Sequence, residues 1–284
     1  MEFNRIGVVG AGTMGNGISQ ALAASGFEVV MTDVAQAQID RGLAAISGGC
    51  DRLVKREKMT AADKAAALGR IRTSTELSAL RDCDLLIEAA TENLELKLKL
   101  FRQLDELLPE HAVLASNTSS ISITRLAAVT KRADRVVGMH FFNPVAMMAL
   151  VELIRGLQTS DPSYAAVEAL ARRIGKSPVS VRNSPGFVVN RVLCPMINEA
   201  IFALGEGLAS AREIDEAIKL GANHPMGPLA LADLIGLDVE LAVMQVLYEG
   251  FKDPKYRPAP LLVEMVEAGY LGRKSGRGFH RYDQ

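Results

Sequence analysis

The chain has 284 residues, with 32 Lys+Arg against 33 Asp+Glu, a formal net charge of −1, 49% hydrophobic and 23% charged residues. That is the composition of a globular protein of about two domains, not of a disordered chain. The balanced charge argues against nucleic acid or an anionic membrane as the main partner, and the lack of Trp leaves little for stacking bases.

Taken in order, Arg5–Val9 is a short apolar run suited to a buried parallel strand. It ends in Gly10-Ala11-Gly12-Thr13-Met14-Gly15, after which Ile18, Leu22 and Ala23 repeat at helical spacing until Gly26. The stretch from Ile6 to Phe27 carries no charge, but its glycines at 7, 10, 12, 15, 17 and 26 break up any signal-peptide core. A second strand, Phe27–Thr32, closes on Asp33. Residues 34–72 are alanine-rich and charged, and read as helices. Later strands fall at Leu85–Ala89, Ala112–Ala115, Val136–Met139 and Leu150–Ile154, with an amphipathic helix from Leu94 to Leu108 ended by Pro109. After Pro178–Val181 the turn cluster Asn183-Ser184-Pro185-Gly186 marks a change. The remainder of the chain reads as helix, including Val188–Leu204, a helix opened by the capping box Ser210–Glu213 and stopped at Gly221, and Leu229–Val246. The expected fold is α/β: a Rossmann-type doubly wound sheet domain over 1–183, then an all-α C-terminal domain over 184–284.

The three cysteines, Cys50, Cys83 and Cys194, are far apart, and no CxxC or His/Cys cluster exists. Neither a disulfide framework nor a metal site is expected. No segment spans a bilayer without charge or Pro, so a cytoplasmic, non-membrane protein is expected.

The glycine motif follows a strand and opens a helix, and Asp33 stands 18 residues after Gly15 at the end of the next strand. This is the context a dinucleotide fingerprint requires. Gly10 permits the tight turn, Gly12 lets a pyrophosphate approach the backbone, Gly15 lets helix and strand pack, and the helix N-terminus offers amide donors. Asp33 can accept ribose hydroxyls and repels a 2′-phosphate, which favours NAD over NADP. Glycines serving packing alone, or FAD, are the alternatives; Asp33 in register opposes the first and the lack of a second flavin pattern the second.

His140 closes the strand Val136–Met139, at a carboxyl end where open α/β sheets bind ligands. It reads either as a structural hydrogen-bonding residue or as the base that takes a hydroxyl proton while hydride leaves the same carbon. Glu152 interrupts an apolar strand, where an unpaired carboxylate is expensive to bury; it reads as the partner of an imidazolium or as an edge residue facing solvent. Ser116-Asn117-Thr118-Ser119-Ser120 also follows a strand, and its hydroxyls either cap a helix or hold a substrate oxygen. Asn190 is placed in the first helix of the second domain, from which it could reach a substrate.

Together the glycine motif, Ser116–Ser120, His140-Phe141-Phe142-Asn143-Pro144-Val145, Pro185-Gly186-Phe187-Val188-Val189-Asn190-Arg191 and Pro225-Met226-Gly227-Pro228 resemble the L-3-hydroxyacyl-CoA dehydrogenases, and among them the bacterial 3-hydroxybutyryl-CoA dehydrogenases. The resemblance runs in order through nearly the whole chain. It implies NAD-dependent interconversion of (S)-3-hydroxyacyl-CoA and 3-oxoacyl-CoA, with His140 as general acid/base, Glu152 as its partner, and Ser119 and Asn190 on the substrate oxygens. It further implies that Asn143 seats the nicotinamide, that Glu92 and Lys97 line the nicotinamide ribose and cleft, and that Lys274 reaches the cofactor. Residues Gly10, Ala11, Gly12, Thr13, Met14, Gly15, Asp33 and Ser119 complete the implied cofactor set. Arg52, Lys55 and Arg56 read as CoA phosphate contacts in the family's helical hairpin or, equally, as a solvated helix face. Relatives usually carry Pro at Ala146, Lys near Ala149 and an aromatic at His280, departures that bear on acyl-chain range.

Two other readings share these motifs: a gulonate or λ-crystallin-like sugar-acid dehydrogenase, and a non-catalytic NAD-binding protein. The apolar helices of the second domain exceed what so small a domain buries alone, so a homodimer through that domain is expected, with an acyl-CoA substrate as the small-molecule partner.

Overall fold

A computed structural model describes residues 1–282. The chain divides into two compact units, Met1–Ser184 and a second beginning at Pro185.

The first unit contains, in order, β1 (Arg5–Val9), α1 (Thr13–Ala24), β2 (Glu28–Thr32), α2 (Gln36–Lys55), α3 (Ala61–Gly69), β3 (Ile71–Ser74), β4 (Leu85–Glu88), α4 (Leu94–Leu107), β5 (Val113–Ser116), α5 (Ile123–Ala127), β6 (Val136–Phe141), β7 (Leu150–Arg155), α6 (Asp161–Arg173) and β8 (Ser177–Arg182). The eight strands form one sheet in the order β3-β2-β1-β4-β5-β6-β7-β8. Pairing is parallel from β3 through β6, antiparallel between β6 and β7, and parallel again between β7 and β8. From β1 the chain winds one way to β2 and β3 and later the other way from β4, so the carboxyl ends of β1 and β4 flank a topological switch point. The central strands are apolar on both faces because helices cover both. Ile6, Val8, Leu85–Ile87 and Val113–Ala115 are wholly buried, each large side chain contributing roughly 1.5–3 kcal/mol.

Strand β3 begins inside the stretch 34–72 that reads as helix and runs two residues beyond it. Its four residues, Ile71-Arg72-Thr73-Ser74, include one apolar side chain and form the sheet edge, so alternation was too short to register.

The second unit contains α7 (Val189–Gly205), α8 (Ala211–Gly221), α9 (Pro228–Ile235), α10 (Leu237–Phe251) and α11 (Pro260–Glu267) around Ile197, Ile201, Leu229, Ala232, Leu237 and Leu262. The capping box is present: Ser210 accepts the Glu213 N–H and Glu213 accepts the Ser210 N–H and hydroxyl. The single helix expected over Leu229–Val246 is in fact two. Gly236, at φ +104°, ends α9 and starts α10, a backbone conformation that side-chain periodicity does not encode. The chain after Gly276 is fastened by two acids. Asp233 accepts the N–H groups of Phe279 and His280 and the Tyr282 hydroxyl, and Asp215 contacts His280 Nε2 at 2.7 Å while accepting the Leu229 and Ala230 N–H groups.

Glu240, in the first turn of α10, is wholly buried, and neither of its oxygens has a nitrogen or oxygen hydrogen-bond partner. Burial pushes its carboxyl up to about 8, with the neighbouring Cys194 thiol pulling weakly the other way.

Candidate active site

The glycine turn forms because only glycine fits there. Gly10 sits at φ +103° with a Cβ position 2.6 Å from the Ala89 carbonyl oxygen, and a Cβ on Gly15 would meet the Gly10 carbonyl oxygen at 1.8 Å. Above Gly12, by contrast, nothing lies within 4 Å of the Cβ position. That opening belongs to a cavity of about 670 Å³ at the switch point, lined by Gly10, Gly12, Thr13, Met14, Asp33 and Ala90 among others. Asp33 Oδ2 accepts the Ala11 N–H at 2.8 Å, so the carboxylate braces the turn while lining the cavity. A glycine-floored opening at a helix N-terminus with a carboxylate on its wall fits a dinucleotide's pyrophosphate and adenosine ribose.

At the same edge of the sheet, β6 ends in His140 and Phe141. The antiparallel register sets His140 directly opposite Glu152 on β7. Cross-strand partners share a face, and the side chains meet: His140 Nδ1 lies 2.7 Å from Glu152 Oε2, with the two side chains 9% and 1% exposed. A carboxylate at that distance accepts, which assigns the neutral ring's proton to Nδ1. The Phe142 ring is tilted against the imidazole, centroids 4.5 Å apart. The strand end is held by the next loop: Asn117 Oδ1 accepts the Phe141 N–H at 2.9 Å.

The loop after β5 carries the half-buried Ser119 and is gathered by Glu92. One oxygen of Glu92 accepts the Thr118 and Ser120 hydroxyls and the N–H groups of Ser119 and Ser120. Burial raises the Glu92 carboxyl, but the Lys97 charge and these hydrogen bonds outweigh it and hold the group below its ordinary value. Lys97 is enclosed. Its ammonium donates to Glu88 Oε1 at 2.5 Å and to the Ala90 carbonyl at 3.1 Å, and lies 3.4 Å from Glu92 Oε2. Glu88 also accepts the Ala90 N–H and the Ser116 hydroxyl, both at 2.7 Å.

The first unit thus brings together His140, Glu152, Ser119, Glu92 and Lys97 with the glycine turn and Asp33 at the carboxyl edge of one sheet. Asn143 is exposed just beyond β6, and Arg52, Lys55 and Arg56 are exposed at the C-terminal end of α2. Asn190 and Lys274 belong to the second unit: Asn190 lies in the first turn of α7, and the Lys274 ammonium donates to Asp238. Sequence reasoning passed over Glu88, and named Asn117 and Thr118 only as members of the serine motif, without the bonds they make to Phe141 and Glu92. Glu88 had a legible signal, a lone acid ending an apolar strand, the same pattern that drew attention to Glu152.

A switch-point nucleotide cavity with a His–Glu pair at the same sheet edge defines a dinucleotide-dependent oxidoreductase. Comparison with known proteins narrows that class. The model for the 3-hydroxyacyl-CoA dehydrogenase NAD binding domain matches residues 5–184, and that for the 3-hydroxyacyl-CoA dehydrogenase C-terminal domain matches residues 186–282. The chain belongs to the 3-hydroxyacyl-CoA dehydrogenase family. It is 52% identical to a 3-hydroxybutyryl-CoA dehydrogenase of Bradyrhizobium diazoefficiens over 99% of this chain and 96% of that one, and 52% identical to one of Clostridioides difficile over 99% and 100%. The crystal structure of (S)-3-hydroxybutyryl-CoA dehydrogenase PaaH1 from Ralstonia eutropha is 64% identical, covers 100% of both chains and superposes with a TM-score of 0.97.

Proposed function

We propose that this chain catalyses the reversible NAD-dependent oxidation of (S)-3-hydroxybutyryl-CoA to acetoacetyl-CoA, with His140 as general acid/base. The observation that carries this reading is the 2.7 Å contact between His140 Nδ1 and Glu152 at the sheet edge that also holds the nucleotide cavity. NAD held by the glycine turn and Asp33 would supply the acceptor for the hydride that leaves C3 of the substrate. His140 takes the C3 hydroxyl proton on Nε2, the ring nitrogen not bonded to Glu152, and Glu152 stabilises the imidazolium and fixes the ring. In the reducing direction the imidazolium returns that proton to the C3 oxygen as alkoxide character develops.

Ser119 and Asn190 hydrogen-bond the substrate oxygens, Asn143 seats the nicotinamide, and Glu92, Lys97 and Lys274 complete the cofactor surroundings. Gly10, Ala11, Gly12, Thr13, Met14 and Gly15 hold the pyrophosphate, and Asp33 holds the adenosine ribose. Arg52, Lys55 and Arg56 meet the CoA phosphates. The protein works in the cytoplasm as a homodimer formed through the second unit, where Val192, Leu208, Leu220 and Leu234 are exposed.

The test monitors nicotinamide absorbance with acetoacetyl-CoA and NADH, beside NADPH and beside free acetoacetate. NADH oxidation that needs the CoA moiety and falls by about 10²–10⁴-fold in His140→Ala is the expected result. Turnover of a sugar acid instead, or NADH binding with no turnover of any 3-oxoacyl-CoA, refutes the proposal.

A further inference from the structure

Glu88 takes no part in the proton transfer proposed above, yet it places a wholly buried carboxylate at the carboxyl end of a central strand. Its register neighbours are Val9 on β1 and Ser116 on β5, so it stands between the strand that leads into the glycine turn and the strand that leads into the serine loop. One oxygen accepts both the Ala90 N–H and the Lys97 ammonium; the other accepts the Ser116 hydroxyl. Two chains of contacts run from there to the backbone around Ser119. Ser116 Oγ accepts the Thr118 N–H at 3.2 Å on one side. On the other, Lys97 reaches Glu92, which accepts the N–H groups of Ser119 at 3.1 Å and Ser120 at 3.2 Å.

An ion pair 0% and 1% exposed is a poor device for stability alone. Desolvating both charges costs several kcal/mol each, and an apolar pair of similar volume often holds a core as well or better. What an apolar pair cannot do is fix an N–H, a hydroxyl and an ammonium at set distances. Ala90 lines the nucleotide cavity, and the serine loop carries Ser119. We propose that Glu88 is a positioning residue for the reaction. Through Ser116 on one side and through Lys97 and Glu92 on the other, it aims the Thr118–Ser120 loop so that the Ser119 hydroxyl meets the substrate oxygen, while holding Ala90 in the cavity wall. This role rests on the function proposed above.

The variants are Glu88→Gln, Ser116→Ala and the charge-free Glu88→Gln/Lys97→Met. Ser116→Ala keeps the ion pair and the double variant removes both charges, so each can be read if Glu88→Gln alone fails to fold. Two readouts are taken. In the first, hydrogen exchange at the amides of residues 118–120 accelerates at least about tenfold in each variant that folds, while the amides of β1 keep their protection. In the second, kcat with acetoacetyl-CoA falls by about 10²-fold in Glu88→Gln and stays low in the double variant even where that variant regains thermal stability. Adding Ser119→Ala then costs much less in the Glu88→Gln background than in the wild type, because the hydroxyl is already misplaced.

Unchanged exchange at 118–120 overturns the proposal. So does an equal Ser119→Ala factor in both backgrounds, or wild-type kcat in the double variant, since these are the marks of a purely structural pair. Failure of the wild type to reduce acetoacetyl-CoA removes the proposed function and this role with it, and is told apart because it shows before any variant is compared.

Discussion

Replacing Glu240 by Met should stabilise the protein, and by an amount that grows with pH. The site sets desolvation against two weak compensations. The first turn of α10 contributes some 0.3–1 kcal/mol of dipole stabilisation to an ionised carboxylate, and the Cys194 thiol is a poor donor. Desolvation wins, lifting the carboxyl from 4.5 to about 8. The folded protein therefore keeps a proton that the unfolded chain has already released. Fewer protons on the unfolded chain mean that stability falls as pH rises from about 4.5 to about 8 and levels off above. With each pH unit of that interval worth about 1.36 kcal/mol, the carboxyl costs on the order of 1 kcal/mol near pH 5.5 and on the order of 4–5 kcal/mol near pH 8.5. Met matches Glu in length and has no charge to lose. Urea unfolding followed by circular dichroism, wild type beside Glu240→Met, should show a stabilisation larger by about 3 kcal/mol at the higher pH. A gain that is the same at both pH values within about 0.5 kcal/mol would mean that Glu240 is ionised in the folded protein, and the reasoning would fail.

Glu152→Gln should lower kcat by about 10²–10⁴-fold, since an amide neither fixes the His140 tautomer nor stabilises the imidazolium; steady-state assays with acetoacetyl-CoA read this directly. Arg52→Ala/Lys55→Ala/Arg56→Ala should raise KM for acetoacetyl-CoA about tenfold at low salt, at roughly 0.2–1 kcal/mol per exposed charge contact, and leave NADH affinity unchanged. An unchanged KM would return these residues to a solvated helix face. The thiols of Cys50, Cys83 and Cys194 are all buried, and burial raises each, Cys83 to about 12 and Cys194 further with the help of Glu240. A colorimetric thiol reagent should therefore label none of them at neutral pH until urea unfolds the chain.

The nucleotide half of the site was legible because each of its residues is tied to a local rule: a glycine turn, a helix start, an acid closing the next strand. His140 and Glu152 were legible for different reasons, His140 because it closes a strand at the ligand-binding edge of the sheet and Glu152 because a carboxylate is costly in an apolar strand. Their pairing was open until the register of β6 against β7 was seen, since no local pattern says which strands are neighbours. Glu88 carried the same signal as Glu152 but stayed hidden, because its partners Ser116 and Lys97 lie 28 and 9 residues away on other elements. The edge strand β3 was too short and polar, and the break at Gly236 depends on backbone torsion, not on side-chain spacing. Within the second unit, the Asp215 contact to His280 spans 65 residues, beyond any windowed reading.

The alignment of His140 with Glu152 comes from backbone pairing along two strands, not from the residues that join them. Five paired positions, Val137 with Arg155 through Phe141 with Val151, set that ladder. A slip of one residue would turn Glu152 to the opposite face and dissolve the pair, so the buried faces of β6 and β7 hold it in register. Within the joining segment 142–149, Phe142 rests on the imidazole and Val145 is buried, whereas Met147 and Met148 lie exposed and bear no such duty. Substitution at Met147 and Met148 should therefore leave the His140–Glu152 contact intact, because the sheet and not these two side chains holds the pair in place.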